Sequence, residues 1–376
     1  MNRLIVSVVM VTCNVDRFLS EAIESILDQT LIDFEFIITD YGSTDRSKSI
    51  ISRYEAKDRR IKSHTVPHCS LADARNAGCS RAKGKYIGIM DADDIALKDR
   101  LMWQVAFMEE HPDVGVLGGA VEWINSTGRS LLTLHNPVTD HEIRSALPGH
   151  CTLWQPTVLM RTEAFLSVGG YRGALAQAED WDLWLRIAER FQLANLNEVV
   201  LKYRIHPNQI SVRKLRQQTL CILAARAAAA RKYGDSCPLA GVEEITPALL
   251  AELGVKESTQ QTALAGGYLY WIHSMSLAGE HSSARTAATE FLRSTDRQHA
   301  DRRIVAEIQL AAAGFFWRDK EFLSSFLSIC QAVMTRPMLI GRPLKLLLRS
   351  LSPTARCWLV PVSLFDMTMS KVAEWA

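Results

Sequence analysis

The feature that most constrains the fold is the run Leu4 to Thr12, LIVSVVMVT, in which β-branched residues dominate and only Ser7 and Thr12 are polar. A stretch this apolar is too short to cross a membrane, which takes about 18 or more apolar residues. It lacks the polar alternation of a half-exposed strand, so it reads as a strand buried on both faces, the signature of a parallel sheet covered by helices. A secretory leader is the competing reading of one Arg followed by an apolar run. Asn14, Val15 and Asp16 follow instead of a small-x-small cleavage site, which favours the strand.

The pattern then repeats. Leu19, Ala22, Ile23, Ile26 and Leu27 recur at helical spacing. Glu35 to Thr39 is a second short strand, running into the turn Asp40-Tyr41-Gly42-Ser43-Thr44-Asp45. Ile50, Ile51 and Tyr54 mark a helix, Ile61 to Val66 a weaker strand, and Leu71 to Ala82 another helix. Tyr86 to Met90 is a strand that stops at Asp91-Ala92-Asp93-Asp94. Leu101, Met102, Val105 and Met108 form a further helical stripe, with the helix starting near Leu97, and Val114 to Val121 is a strand. This βαβα order predicts an α/β fold with a mostly parallel sheet and helices on both faces. Ligands of such sheets bind beyond the carboxyl ends of the strands. Polar clusters lie at three such ends: Thr12 to Asn14, Asp40 to Asp45, and Asp91 to Asp94.

Beyond residue 212 strand signals vanish and Ala- and Leu-rich helical segments take over, including Leu220 to Lys232, Pro247 to Leu253, Ala263 to Leu277, Ser283 to Leu292 and Ile304 to Phe316. An α/β domain over residues 1–212 and an all-helical domain over 213–376 are therefore expected. Leu277-Ala278-Gly279-Glu280 and Phe316-Trp317-Arg318-Asp319 each precede a helix, so paired-helix repeats and an ordinary bundle both stay open.

Charge narrows the partners. Lys plus Arg number 43 against 41 Asp plus Glu, a net charge of +2, which gives no support to nucleic acid as a partner. The 8 cysteines form no CxxC and no zinc-ligand spacing with His, as expected of reduced thiols in the cytoplasm.

Residues i and i+2 of extended backbone point to one side, so Asp91 and Asp93 direct two carboxylates to one spot past a strand. Such a pair repels unless a cation sits between, and Mg²⁺ or Mn²⁺ suits carboxylate oxygens while leaving positions for a diphosphate. The plainer alternative is an acidic turn with Asp93 or Asp94 capping the next helix. Glu179-Asp180 opens a helix whose apolar stripe is Trp181, Trp184, Leu185 and Ala188. Carboxylates in a first turn suit the helix dipole, which is the structural reading of this pair. Asp182 reads as a surface or capping residue.

Read together, VSVVMVTCN, FLSEAIESILDQT, DFEFIITDYGSTD, LADARNAG, AKGKYIGIMDADD, WQPTVLMR, VGGY, AEDWDLWLRIAER and YRIHPNQIS resemble, in order and spacing, the family 2 glycosyltransferases of the GT-A fold. The resemblance covers the N-terminal 212 residues. It implies a metal-dependent, inverting transfer from a nucleotide-sugar donor to a hydroxyl of a glycan, lipid-linked or other acceptor, in cell-surface polysaccharide or glycoconjugate assembly. It places Asp93 as metal ligand and Asp91 against the ribose or diphosphate. Asp180, with Glu179 beside it, matches the family's general base, and the sequence does not order the two. Thr12, Asn14, Asp40, Tyr41 and Arg75 fall in donor-binding segments, His206 at a position that closes the diphosphate or metal site, and Trp154 and Gln155 near the acceptor.

Two positions depart from the family. Tyr41 stands where a second Asp usually meets the donor base, and Cys13 where a Tyr usually stacks on it. Compensation by the Tyr41 ring, a donor other than a UDP-sugar, and a weakened donor site all follow from this. Two other functions compete with this one. A nucleotidyltransferase would want a glycine-rich phosphate loop, which VTCNVDRF lacks. A non-catalytic binding module on a degenerate transferase fold is motivated by Cys13 and Tyr41 and opposed by the intact acidic motifs. Finally, Arg336 to Arg356 mixes five basic residues with leucines. It reads either as a terminal helix with snorkelling cations or as a peripheral contact with the inner face of a membrane, interrupted by Pro337, Pro343 and Pro353.

Overall fold

The computed structural model describes residues 4–209, 214–230, 239 and 241–339. The tail reading from residue 340 onward lies outside these. The chain divides into two compact units, one of residues 1–204 with 224–245, the other of 205–223 with 246–376.

In the first unit the apolar run forms β1 (Val6–Thr12), every residue of it buried. It pairs in parallel with β2 (Phe34–Asp40) on one side. β3 (Ile61–Thr65) extends the parallel set beyond β2. On its other side β1 pairs with β4 (Tyr86–Asp91). Register sets the chemistry: Thr12 lies beside Asp40 and Val11 beside Asp91, so three polar strand ends share one edge. Helices α1 (Asp16–Leu27), α2 (Ser47–Glu55) and α3 (Leu71–Cys79) make the crossovers. Ser70 caps α3 by accepting the Asp73 N–H. At Gly78 a Cβ would stand 2.6 Å from Val9 Cγ1 and 2.9 Å from Thr39 Oγ1, so α3 lies directly on β1 and β2.

Past β4 the sheet turns antiparallel. Its full order among the described residues is β3-β2-β1-β4-β8-β6-β9-β5, with β7 beside β6. These added strands are β5 (Ile95–Ala96), β6 (Val114–Asn125), β7 (Ser130–Leu134), β8 (Leu159–Arg161) and β9 (Gln192–Ile205). The parallel half and its flanking helices match the α/β expectation. β7 and β8 carry too few alternating residues to stand out in the sequence. The helix expected near Leu97 begins later, as α4 (Arg100–Glu110), because Ile95 and Ala96 pair with Lys202 and Leu201 of β9. Its inward face is Arg100, Leu101, Gln104 and Met108, while Met102 is exposed. Helices α5 (Asp140–Ala146), α6 (Thr162–Ser167) and α7 (Glu179–Ile187) complete the β6-to-β9 connections.

Helix α8 (Leu215–Ala230) contributes residues to both units. The second unit adds α9 (Pro247–Glu252), α10 (Glu257–Ala278), α11 (His281–Arg293), α12 (Arg302–Arg318) and α13 (Phe322–Thr335). The α10–α11 and α12–α13 turns are built alike. Gly279 (φ 87°) and Lys320 (φ 65°) take the left-handed conformation after the helix end. Glu280 N–H bonds to Met275 O at 2.8 Å, and Glu321 N–H to Phe316 O at 2.8 Å. Leu269, Ile272, Phe291, Ile304 and Ile308 form the shared core of three of these helices.

Candidate active site

The acidic turn sits where β4 ends. Asp91 is the last residue of that strand. The side chain that organises its surroundings is Arg75, buried on α3. Arg75 Nη1 donates to Glu179 Oε1, and Nη2 donates to Asp91 Oδ1 at 3.0 Å. One guanidinium thus joins the strand-end acid to the acid at the head of α7, residues 104 positions apart from it in the case of Glu179. Its planar fork suits two carboxylates at once. The ring of Tyr171 lies 6.0 Å from the guanidinium. Asn76, the next residue, pins the Tyr171 backbone at both ends: Nδ2 donates to Tyr171 O at 2.8 Å and Oδ1 accepts from Tyr171 N at 2.9 Å. Arg75 is therefore a buried, doubly engaged side chain of α3 and not an exposed helical arginine.

Burial pushes the Glu179 carboxyl up to about 8, Arg75 pulling against it. Burial also raises Asp91, helped by the neighbouring Asp93 and opposed by Arg75. Asp180 is raised above the ordinary aspartate value by burial, with Arg75 and the Trp181 N–H opposing. Asp180 Oδ1 accepts that N–H at 2.7 Å. No side-chain donor among the described residues engages Asp180, which distinguishes it from Glu179. Asp182 is not the surface residue expected. It is 3% exposed and salt-bridged to Arg172 at 3.0 Å and Arg186 at 2.7 Å, so the start of α7 is held against the loop before it.

Asp94 does not cap the following helix. It is buried, and its Oδ1 accepts the backbone N–H of Arg204 at 2.8 Å. Arg204 Nε donates to the Asp93 carbonyl at 2.7 Å, and its Nη2 reaches Glu21 at 2.6 Å. The end of β9 thus clasps the acidic turn from behind. Burial, then Asp93 and Asp91, raises Asp94 well above the usual carboxyl range.

At the adjoining ends of β1 and β2, Thr12 Oγ1 and Asp40 Oδ2 are buried and have no hydrogen-bond partner. The other Asp40 oxygen accepts from the Gly42 N–H at 3.3 Å and the Ser43 N–H at 3.2 Å. Asn14 takes φ 55°, and its side chain accepts from Thr44 N–H at 2.8 Å and Asp45 N–H at 3.3 Å. Asn14 thereby ties the two strand ends together. The Tyr41 ring is buried against Val11 and Ala74 and stacked 6.2 Å from His68, with half-buried Cys13 alongside. Burial, then Cys13, raises its hydroxyl pKa.

Gln155 is buried, and its Nε2 donates to the Tyr171 hydroxyl at 2.7 Å, linking it to the Arg75 cluster. Half-buried Trp154 packs 5.2 Å from Tyr203 and edge-on to Trp123 at 6.2 Å. His206 belongs to the second unit, where it is buried with its backbone N–H on Gln209 Oε1 at 3.1 Å. Sequence reasoning missed Tyr171, Arg204 and the role of Asp94, although VGGY and the acidic turn drew notice.

No group of three or more His, Cys, Asp or Glu side chains among the described residues is arranged to hold a metal ion by itself. The donors at the turn are carboxylate oxygens. A Mg²⁺ or Mn²⁺ shared with a diphosphate needs only one or two of them, so this set fits such an ion and not a self-contained metal cage.

The family model described as "Glycosyl transferase family 2" matches residues 7–169. The uncharacterized glycosyltransferase MJ1057 of Methanocaldococcus jannaschii is 34% identical over 226 residues, 58% of this chain and 77% of that protein. The O-antigen biosynthesis glycosyltransferase WbnJ of Escherichia coli is 33% identical over 205 residues, 54% of this chain and 80% of its own length. Among solved structures, S. aureus TarS 1–349 in complex with UDP-GlcNAc superposes with a TM-score of 0.50 at 17% identity, over 86% of this chain and 90% of that one. That likeness agrees with the fold of a mixed sheet with flanking helices followed by a helical region. With two relatives above 30% identity matched over most of their length, and with the acidic motifs gathered at one edge of the sheet, the chain belongs to glycosyl transferase family 2 and is a glycosyltransferase.

Proposed function

We propose that the enzyme moves a sugar from a nucleoside-diphosphate donor to a hydroxyl of a glycan or lipid-linked acceptor, with inversion, in surface polysaccharide or glycoconjugate assembly. The observation that carries the reading is the Arg75 bridge, which brings Asp91 and Glu179 to one place, Asp180 being the residue next to Glu179 on α7. Asp180 is the base in this scheme. The acceptor oxygen attacks the sugar C1, the C1–O bond to the diphosphate breaks with its electron pair, and Asp180 takes the hydroxyl proton. Burial raises its pKa above the ordinary aspartate value, which makes it a stronger proton acceptor. Glu179, engaged by Arg75, positions α7.

Asp93, with Asp91, would hold Mg²⁺ or Mn²⁺. When bound, the ion supplies positive charge to the departing diphosphate. The partnerless Thr12 Oγ1 and Asp40 Oδ2 support a polar ligand, here the nucleobase, at the β1 and β2 ends. TarS was solved with UDP-GlcNAc, which makes UDP-sugars the first donors to test. The relative WbnJ acts in O-antigen biosynthesis, which makes surface glycans the first acceptors. No described helix is long and apolar enough to cross a membrane.

The test is release of nucleoside diphosphate from a panel of nucleotide sugars with Mn²⁺ or Mg²⁺ present or absent. Metal-dependent release from one donor is expected. Asp93→Ala should weaken metal-dependent donor binding, and Asp180→Asn should keep binding and lose transfer. Full transfer by Asp180→Asn refutes the base assignment.

A further inference from the structure

A second cluster of charge lies away from the acidic turn and takes no part in the scheme above. Arg226 on α8 is half-buried. Its Nε donates to the Pro148 carbonyl at 2.5 Å, and its guanidinium lies 6.0 Å from the ring of Trp181. No carboxylate pairs with it among the described residues, and its two Nη groups make no hydrogen bond there. His150 lies two residues past Pro148, whose carbonyl takes Arg226 Nε; it is half-buried, its Nδ1 is buried with no partner, and burial, then Arg226, lowers its pKa. Two nitrogenous side chains thus share a partly dry corner with no counter-charge among the described residues, an arrangement that costs free energy unless an anion completes it.

The place of this corner is informative. Trp181 follows the proposed base Asp180 in sequence. Its Nε1 donates to Leu147 O at 2.8 Å, so the segment carrying Pro148, His150 and Cys151 lies along the head of α7. The segment is tied to Trp181 at Leu147 and to Arg226 at Pro148, with His150 two residues further on. The strip therefore joins the head of α7 to the cationic corner.

We infer that Arg226 and His150 form an anion-recognition subsite for the acceptor, taking a phosphate group displaced from the hydroxyl that is glycosylated. Arg226 supplies two free Nη donors on a planar fork, the geometry suited to a phosphate, with Trp181 as its backing. The word acceptor rests on the transferase reading, while the anion site rests on the corner alone.

The experiment titrates glucose 6-phosphate and glucose by calorimetry against the full chain, with UDP and Mn²⁺ present to fill the nucleotide cleft. Glucose 6-phosphate is expected to bind at least tenfold tighter. Arg226→Gln should erase that preference and Arg226→Lys should keep part of it, both with unchanged melting temperature. The histidine NMR signal of His150, assigned by its loss in His150→Gln, should shift with glucose 6-phosphate and not with glucose. Equal binding of the two ligands, or a preference that survives Arg226→Gln, overturns the proposal. So does a preference lost in Asp93→Ala but kept in Arg226→Gln, which would locate the phosphate in the donor cleft. Glycerol 3-phosphate and geranyl diphosphate form two further arms. An Arg226-dependent preference for the first assigns a phosphodiester-bearing glycan, and for the second a lipid carrier. Donor hydrolysis by the same preparations reads the transferase assignment separately, so each can fail alone.

Discussion

Arg204 donates its backbone N–H to Asp94 Oδ1 at 2.8 Å, fastening the end of β9 to the acidic turn that follows β4. The carboxylate here acts as an acceptor, and its charge is a burden: burial and two neighbouring aspartates raise its pKa. Asp94→Asn keeps the acceptor and removes that charge. It should leave the melting temperature at pH 7 unchanged or higher. Asp94→Ala strands the Arg204 N–H and should cost about 1–3 kcal/mol. Thermal melts of both variants check this, and equal losses would refute it.

Arg75 neutralises two acids at once, buried Glu179 and half-buried Asp91. Arg75→Met leaves both without a partner and should destabilise by about 3–5 kcal/mol at neutral pH. The deficit should shrink on acidification as those carboxyls take up protons. Arg75→Lys presents a single point charge and should recover only part of the stability and less of kcat. Denaturant melts at pH 5 and pH 8, with kcat alongside, decide the matter.

The proposed base must be ionised to work, so kcat should fall as pH falls through the Asp180 pKa. Burial raises that pKa above the ordinary 3.8, which moves the acid limb upward from there. Asp180→Asn should lower kcat by about 10²–10⁴-fold with KM for the donor little changed. A limb centred at or below 3.8 would contradict the assignment.

In the second unit, His273 on α10 is pushed down to about 4 by burial. Its folded pKa lies below the unfolded value of 6.5, so folding excludes a proton that the unfolded chain binds. Its neutral form is compatible with the fold above pH 6.5, and stability drains away as pH falls from there through 4. His273→Gln should lose the difference: its melting temperature relative to wild type should rise between pH 7 and pH 4.5. A constant offset across that range would refute the effect.

What the sequence makes legible here is what neighbours along the chain determine. β1 declares itself because burial on both faces demands an unbroken apolar run. The carboxylates at Asp91, Asp93, Glu179 and Asp180 stand out because strand ends and first helical turns are local features. Arg75 reads locally as an ordinary helical arginine, since the partner that buries it comes 104 residues later. Asp182 likewise looks like a first-turn acid, and only tertiary packing brings Arg172 onto it. Asp94 reads as a cap because α4 is near, whereas the two-residue pairing of β5 with β9 delays that helix and hands Asp94 to Arg204. The corner at Arg226 had no local signal at all.

Gly78 gives the active site a hidden dependence. It sits one turn beyond Arg75 on α3, and its missing side chain lets the helix touch Val9 and Thr39 directly. No shim separates helix from sheet, so the reach of the guanidinium to both acids is calibrated by the thickness of a single hydrogen atom. Even a methyl group there would jack the helix outward and carry the arginine with it, detuning the reaction centre from a position that touches neither donor nor acceptor.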